Sequence, residues 1–296
     1  MTVSTMNSEK IQRWSKPAST TEEQKCDNAL RMIKDAISAC EELKQLDFKL
    51  VPQGSYHNNT NVRTTSDVDI CVKLYSTFYS NLDAADKKAK GIVPSSLTYD
   101  HYKQLIWSAL RKKFGDSATK GKKCFKINSN HYRVDADVVP CMEYRHYNGI
   151  KSSYESGVQF FDKSGNKIIN FPEQHYTNGV VKNNLTNRKY KRIVRILKRC
   201  KYQLIEQGDK RVGNISSFGI ECAVYNVANC YFASDSLEQA VENVLVQLYG
   251  RTEKENPCHN WTEVNGILPL FTDNRGFHAE DINYFASKTY ELLTTN

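Results

Sequence analysis

The most constraining feature of the sequence is a short apolar run that carries two acids, Asp67-Val68-Asp69-Ile70. Because the acids alternate with aliphatic residues, the run predicts a β-strand with both carboxylates on one face. Two carboxylates so close together repel each other unless a cation lies between them. Oxygen ligands of this kind suit Mg²⁺ or Mn²⁺, so Asp67 and Asp69 are predicted metal ligands.

A second motif, Gln53-Gly54-Ser55, stands eleven residues before the two acids. Gly54 permits a backbone conformation with positive φ and leaves space for a triphosphate, while the Ser55 hydroxyl and nearby amides can donate hydrogen bonds to phosphate oxygens. Each motif is common by itself. Their spacing predicts that a phosphate-binding turn and a metal-binding strand meet at one point.

A third acidic segment is the run from Arg133 to Pro140, which again reads as an apolar strand with Asp135 and Asp137 on one face. Acids on buried strands are costly without a metal ion. We expect Asp137 to complete the metal site, because it directly precedes the apolar Val138-Val139-Pro140 segment. Asp135 is then expected to pair with Arg133 or to orient the metal ligands without binding the ion itself.

These motifs resemble those of the polymerase-β-type nucleotidyltransferases, in which a Gly-Ser turn, an Asp-X-Asp strand and a later Asp recur. Within that superfamily the sequence resembles the cGAS/DncV-like nucleotidyltransferases, or CD-NTases, over roughly residues 20 to 290. The stretches that carry this closer resemblance are Gln53 to Tyr56, Thr60 to Arg63, Ser66 to Asp69, Asp137 to Pro140, Asn170 to Pro172 with His175 and Asn178, Arg195 to Lys198, and Ser216 to Glu221.

The predicted fold class is α+β, with a mixed β-sheet catalytic lobe and a helical C-terminal lobe. Residues 1–18 are expected to form a flexible tail, 19–184 the catalytic lobe with a long N-terminal helix, and 185–296 the helical lobe. In the catalytic lobe the patterns predict strands at Cys124 to Asn128 and Tyr132 to Val139, and a hairpin from Val158 to Phe171.

The resemblance implies an enzyme that makes a cyclic di- or trinucleotide second messenger from NTPs with release of pyrophosphate, in bacterial antiphage (CBASS) signalling. Two Mg²⁺ ions, or Mn²⁺, would lie between Asp67, Asp69 and Asp137. The predicted nucleotide-binding residues are Gln53, Gly54, Ser55, Lys198 and Ser217, the last two by resemblance alone.

Two other functions remain open: a nucleotidyltransferase that makes linear oligonucleotides or modifies another acceptor, and an inactive protein that binds nucleotides or nucleic acid. The sequence does not determine the bases, the 2′-5′ or 3′-5′ linkage, the ring size, the activator, the effector or the oligomeric state.

The cysteine pattern and the apolar segments of the sequence indicate the cellular compartment in which the protein is expected to act. Nine cysteines are scattered without a Cys-X-X-Cys pair, which suits free thiols in the cytoplasm, and neither a signal core nor a membrane span is expected. Adjacent Cys258 and His259 do not make a zinc site.

The net charge of +8 includes a basic run from Arg111 to Lys126. With few interleaved aromatic residues, this run does not favour activation by nucleic acid.

Overall fold

A computed structural model describes residues 6–17, 19–62, 67–149, 153–253, 258–272 and 276–294. The helices are α1 Ser8–Trp14, α2 Thr20–Ser38, α3 Glu41–Lys44, α4 Gly54–His57, α5 Ala84–Ala89, α6 Tyr99–Phe114, α7 Pro172–Leu185, α8 Lys189–Glu206, α9 Lys210–Asn214, α10 Ser217–Asn226, α11 Leu237–Arg251 and α12 Ala279–Thr294. The strands are β1 Phe48–Gln53, β2 Val68–Ser80, β3 Ala118–Lys120, β4 Phe125–Ile127, β5 Ala136–Tyr147, β6 Tyr154–Phe161 and β7 Lys167–Asn170. Two short 3₁₀ segments span Gly115–Ser117 and Asn229–Phe232.

The chain divides into two compact units, each with its own apolar core. The sheet unit comprises Ser19–His57 and Thr64–Glu173, and the helical unit comprises Met1–Ala18, Asn58–Arg63 and Gln174–Asn296. A mixed sheet and a set of helices are therefore present as predicted, and the α+β class is confirmed. The main part of the helical unit begins at residue 174, whereas the helical lobe was expected to begin at residue 185.

The sheet is ordered β1-β2-β5-β4-β3, and β6 joins β5 and β7. Strands β2 and β5 run parallel, whereas the other neighbouring pairs are antiparallel. The long strand β5 pairs with β4 through Ala136–Val138 and with β6 through Met142–Tyr147. Its first residues consequently have a neighbouring strand on each side.

Helix α6 covers one face of this sheet. Its residues Tyr102, Ile106 and Leu110 are completely buried. The Tyr102 hydroxyl donates a hydrogen bond to the Val72 carbonyl oxygen (3.1 Å), and the Tyr99 hydroxyl donates to that of Pro140 (3.1 Å). Burial of a tyrosine ring with its hydroxyl satisfied fixes the helix against β2 and β5. The opposite face of these two strands is left to the acids.

The expected flexible tail contains helix α1. Asn7 caps the helix by accepting a hydrogen bond from the Lys10 amide (2.9 Å), and Ile11 is fully buried in the core of the helical unit. The polar composition of residues 1–18 misled the prediction, because a few apolar side chains anchor this segment: Met6 is buried in the same core and Trp14 packs against it. Residues 1–5 and 18 lie outside the described ranges.

Within the described residues, no helix is long and apolar enough to cross a membrane.

Gly54 follows directly after β1 and has φ +75°, a conformation that disfavours residues with a Cβ atom. A second constraint acts at the same place. A Cβ atom on Gly54 would stand 2.0 Å from Oδ2 of Asp69, because β1 and β2 pair with Gln53 opposite Asp69. Glycine is required here both by the backbone angle and by the carboxylate beside it.

We expect Gly54→Ala to lower the free energy of unfolding by roughly 2 to 4 kcal/mol, the sum of left-handed strain and overlap with Asp69. The matched control is Gly165→Ala. Gly165 has φ +80° but nothing within 4 Å of its added Cβ, so only the strain of about 1 to 2 kcal/mol applies. Denaturant unfolding of both variants measures the difference, and equal losses would contradict a role for the Asp69 contact.

Candidate functional site

A row of four polar side chains crosses the sheet at the end of β1. Gln53 pairs with Asp69, Asp69 pairs with Asp137, and Asp137 pairs with Lys126 on β4. Directly paired residues on neighbouring strands project from the same face of a sheet. We call this surface, with Gln53, Asp69, Asp137 and Lys126, the acid face. The strand register thus brings together two acids that lie 68 positions apart in the sequence.

Burial and the charges of neighbouring acids raise the pKa of Asp67 and Asp69. Burial raises the pKa of Asp69 to about 7, with further contributions from the charges of Asp137 and Asp67. Burial also raises the pKa of Asp67, which immediately precedes β2, and the charges of Asp137 and Asp135 add to the effect. Like charges that face each other in a partly desolvated site disfavour full ionisation. A bound cation would remove this penalty.

The donor set fits a hard divalent metal ion. Asp67, Asp69 and Asp137 offer only carboxylate oxygens, which Mg²⁺ and Mn²⁺ prefer to the nitrogen and sulfur ligands of zinc. Across the described ranges, however, no group of three or more histidine, cysteine, aspartate or glutamate side chains is placed so that it could hold a metal ion. The strand register and the mutual repulsion of the acids are therefore the evidence for a cation site.

Asp135 is placed differently from Asp137. It lies one residue before β5, and its carboxylate accepts a hydrogen bond from the Ser129 amide at 2.5 Å. Its backbone carbonyl accepts from the amide of Val68 (3.0 Å). The side chain thus closes the turn that leads into the strand, whereas Asp137 lies in register with Asp69. This arrangement favours Asp137 as the third ligand.

Two side chains beside Asp137 were not identified from the sequence. Lys126 pairs directly with it across β4 and β5, and its charge lowers the pKa of Asp67. The Cys124 thiol forms a hydrogen bond with the Asp137 carboxylate; burial, followed by the Asp137 charge, raises the thiol pKa to about 12. Residues two apart in a strand lie on the same face, so the predicted strand from Cys124 to Asn128 already implied that Cys124 and Lys126 share a face.

The predicted phosphate-binding turn is a single short helix. Gln53 ends β1, and Gly54 and Ser55 open the four-residue helix α4. All three are half-buried. Arg63 and Ser66, which belong to the same family motif, lie outside the described residues.

Lys198 and Ser217 lie in the helical unit. Lys198 is buried, and its ammonium contacts Oε2 of Glu221 at 2.6 Å and Oγ1 of Thr60 at 3.0 Å. Burial opposes ionisation of Glu221, but Lys198 and His175 outweigh it and hold the Glu221 pKa well below its usual range. Lys198 is thus part of a buried polar cluster with Thr60, His175 and Glu221. Its predicted contact with a triphosphate would have to compete with this ion pair.

Ser217 is the first residue of α10, and its hydroxyl shares a hydrogen bond with the Tyr202 hydroxyl (3.1 Å). The adjacent Phe218 ring is exposed on one side and stacks on His175, with centroids 5.5 Å apart. Aromatic rings at such positions offer a surface on which a nucleobase can stack. Phe218 belongs to the Ser216 to Glu221 stretch that carries the family resemblance, but it was not predicted as a nucleotide contact.

The raised pKa of Asp69 predicts a pH-dependent stability. The folded protein holds a proton up to about pH 7, whereas an unfolded aspartate releases it near its ordinary value of 3.8, so this stabilisation is complete below pH 4 and lost as pH rises through 7. In EDTA at pH 8, Asp69→Asn should therefore be more stable than the natural protein by roughly 2 to 4 kcal/mol. The advantage should disappear near pH 4.

Thermal unfolding across pH 4 to 8 measures this effect, with Asp27→Asn at an exposed position of helix α2 as the control. Asp27→Asn should follow the natural protein. Added Mg²⁺ should stabilise the natural protein and leave Asp69→Asn unchanged. Parallel pH profiles for Asp69→Asn and the natural protein would show that the acid face carries no repulsion.

Comparison with known proteins identifies both units. Residues 33–148 match the family model of the nucleotidyltransferase domain, and residues 177–294 match that of the cGAS/DncV-like nucleotidyltransferase C-terminal helical domain. The sequence is 38% identical over 281 residues to the cyclic dipyrimidine nucleotide synthase CdnE of Cecembia lonarensis, covering 94% of this chain and 95% of that protein.

It is also 40% identical over 285 residues to the cyclic dipurine nucleotide synthase of Elizabethkingia meningoseptica, covering 95% of this chain and 96% of the relative. Among solved structures, the c-UMP-AMP synthase CdnE of Rhodothermus marinus with Apcpp and Upnpp has a TM-score of 0.84 and 30% identity, with coverage of 97% and 96%. Two matching domain models and relatives of this identity along nearly the whole chain show that the protein belongs to the cGAS/DncV-like nucleotidyltransferases.

Proposed function

We propose that this protein condenses nucleoside triphosphates into a cyclic di- or trinucleotide second messenger. The observation that carries the proposal is the direct pairing of Asp69 with Asp137 across the parallel strands β2 and β5. Two relatives that match this chain along nearly its whole length are cyclic nucleotide synthases by name. The family as a whole uses NTPs with a divalent metal ion.

In the proposed reaction a ribose hydroxyl attacks the α-phosphorus of an NTP, an O–P bond forms, and the bond to the departing pyrophosphate breaks. Held by Asp67, Asp69 and Asp137, two Mg²⁺ or Mn²⁺ ions would lower the pKa of the attacking hydroxyl and neutralise the triphosphate and pyrophosphate. A second attack by the free hydroxyl of the linear intermediate on its own triphosphate would close the ring at the same residues.

The chain's own groups have distinct parts in this reaction. Gly54 leaves one side of the Asp69 carboxylate uncovered, since any side chain there would overlap it. The Gln53 amide and Ser55 hydroxyl, next to that carboxylate, would donate hydrogen bonds to phosphate oxygens. Lys126 adds a positive charge on the acid face opposite Asp137, where negative charge accumulates during phosphoryl transfer. Lys198 and Ser217 remain predicted contacts of the triphosphate.

The base specificity is not set by overall similarity. Relatives of 38% and 40% identity carry names that specify pyrimidine and purine products respectively. A few side chains in the nucleotide pocket must therefore decide the bases.

We propose further that the product acts in the cytoplasm on an effector of a CBASS antiphage system.

Product analysis tests the proposed function. We expect the purified protein, incubated with all four NTPs and Mg²⁺ or Mn²⁺, to yield a phosphatase-resistant cyclic oligonucleotide by mass spectrometry. An Asp67→Asn/Asp69→Asn variant should yield none. Linear, phosphatase-sensitive oligonucleotides would instead favour the first alternative, and incorporation into an added RNA or protein would identify another acceptor. Nucleotide binding without any product under all these conditions would favour an inactive binding protein.

The two acids of the Asp135-Ala136-Asp137 segment should differ in effect. We expect Asp137→Asn to lower kcat by at least about a thousandfold, because a metal ligand is lost. Asp135→Asn keeps a side-chain oxygen that can accept from the Ser129 amide, and should lower kcat by less than about tenfold. Initial rates of pyrophosphate release measure both. Retained activity in Asp137→Asn with loss in Asp135→Asn would reverse the assignment.

A further inference from the structure

A lysine-lined pocket of about 290 Å³ lies in the sheet unit, and its lining includes Cys124, whose thiol forms a hydrogen bond with the Asp137 carboxylate of the acid face. Phe125 and Pro140 line it. Alternation along β4 and β5 turns these two residues away from Lys126 and Asp137, and therefore to the face that helix α6 covers. The charged residues that line the pocket are Lys103, Lys120, Lys122, Lys123 and Lys163, with Asp100 as the one carboxylate in its lining.

Three of the five pocket lysines, Lys103, Lys120 and Lys163, are held by contacts that leave their charge intact. The Lys120 ammonium lies over the Trp107 ring at 4.8 Å, and that of Lys103 lies over the Tyr99 ring at 5.7 Å. Lys163 donates a hydrogen bond to the Lys120 carbonyl oxygen (3.2 Å). Contacts with aromatic faces and carbonyls orient an ammonium group without neutralising it. In the part of the chain that the structure describes, none of the five pocket lysines forms a salt bridge with a carboxylate.

The backbone around the pocket is also fixed. The Lys163 amide donates to the Lys122 carbonyl (2.9 Å), which joins the β3–β4 turn to the β6–β7 turn. The Gly121 amide donates to the Cys124 carbonyl (2.8 Å) and closes the β3–β4 turn itself. Five lysines on two connected turns and one helix line the pocket together with the one carboxylate of Asp100. The pKa of Asp162, next to Lys163, is lowered by hydrogen bonds from Asn166 and also by the charge of Lys122, and with both acids counted positive charge remains in excess. The mutual repulsion of the lysines is relieved by a bound anion.

We propose that this pocket binds a short linear phosphate chain, as in inorganic triphosphate or the phosphates of a nucleotide. Lysine ammonium groups bind phosphate oxygens as point charges, and several of them suit a ligand with several adjacent phosphates. The volume is at the small end of ligand pockets, which matches a phosphate chain better than a complete nucleotide. The inference does not depend on the proposed enzymatic function.

A nucleic-acid strand fits the surroundings less well. Binding of a strand needs a continuous groove of positive charge with stacking aromatic rings. The basic run from Arg111 to Lys126 is instead divided: Arg111 pairs with Asp116 at 2.5 Å, Lys112 and Lys113 lie at the end of α6, and Lys126 turns to the acid face. Of the basic residues in this run, only Lys120, Lys122 and Lys123 line the pocket.

Calorimetric titration of the natural full-length protein with inorganic tripolyphosphate in EDTA tests the proposal. Without divalent ions the acid face repels the anion, so binding there does not contribute. We expect Lys122→Gln/Lys123→Gln to weaken binding by at least about tenfold, because two charged phosphate contacts are lost. Lys112→Gln/Lys113→Gln removes the same charge from exposed positions outside the pocket and should keep the affinity within about twofold.

Absence of binding, or equal weakening by both double variants, would overturn the proposal, since equal weakening indicates attraction by net charge alone.

ATP and AMP distinguish the sources of the phosphate: binding of ATP as tight as that of tripolyphosphate indicates a nucleotide ligand, and weak binding of AMP is expected in either case. A 20-nucleotide RNA that binds more tightly than tripolyphosphate, and loses affinity in Lys122→Gln/Lys123→Gln, would make the surface a nucleic-acid site instead. Thermal unfolding of both variants checks that they remain folded.

Discussion

The parallel pairing of β2 with β5 is the interaction on which the candidate site depends. It sets Asp69 beside Asp137 and lets β1 and β4 extend the same row to Gln53 and Lys126. Placing like charges opposite each other on adjacent strands costs stability. Burial, and then the charges of Asp137 and Asp67, raise the pKa of Asp69 to about 7. The apolar core of the sheet unit must compensate for the cost of holding these acids on one face.

The acids and the Gly54-Ser55 turn of the candidate site could be predicted because their signals are local, whereas Lys126 of the acid face was not identified. Alternation identified Asp67 and Asp69, and the Gly54-Ser55 turn stands at a fixed distance before them. The start of β5 was predicted at Tyr132, but the strand begins at Ala136. Asn130 accepts hydrogen bonds from the amides of Tyr132 and Arg133 through its side chain, and this local turn competes with strand pairing.

The partners of the basic helix α8 could not be predicted from the sequence. Lys198 meets Glu221 and Thr60, which are 23 and 138 positions away. The Arg195 guanidinium donates to the carbonyl oxygens of Ser15 (2.8 Å) and Asn59 (2.6 Å). Helical periodicity indicates which face of α8 is apolar, but long-range contacts decide which cations are buried. Lys198, which was expected to contact a triphosphate, and Arg195 thus hold distant segments of the chain in place.

The helical unit is discontinuous in sequence, since it includes α1 and the Asn58–Arg63 segment as well as residues from 174 onwards. Thr60 supplies a hydroxyl to the buried Lys198–Glu221 pair, and Ile11 completes the apolar core. A fragment cut at the border of the C-terminal family model, residues 177–294, would lack both groups. The C-terminal helices alone are therefore an incomplete unit, and a hybrid that takes them from a relative needs a matching Asn58–Arg63 segment and helix α1.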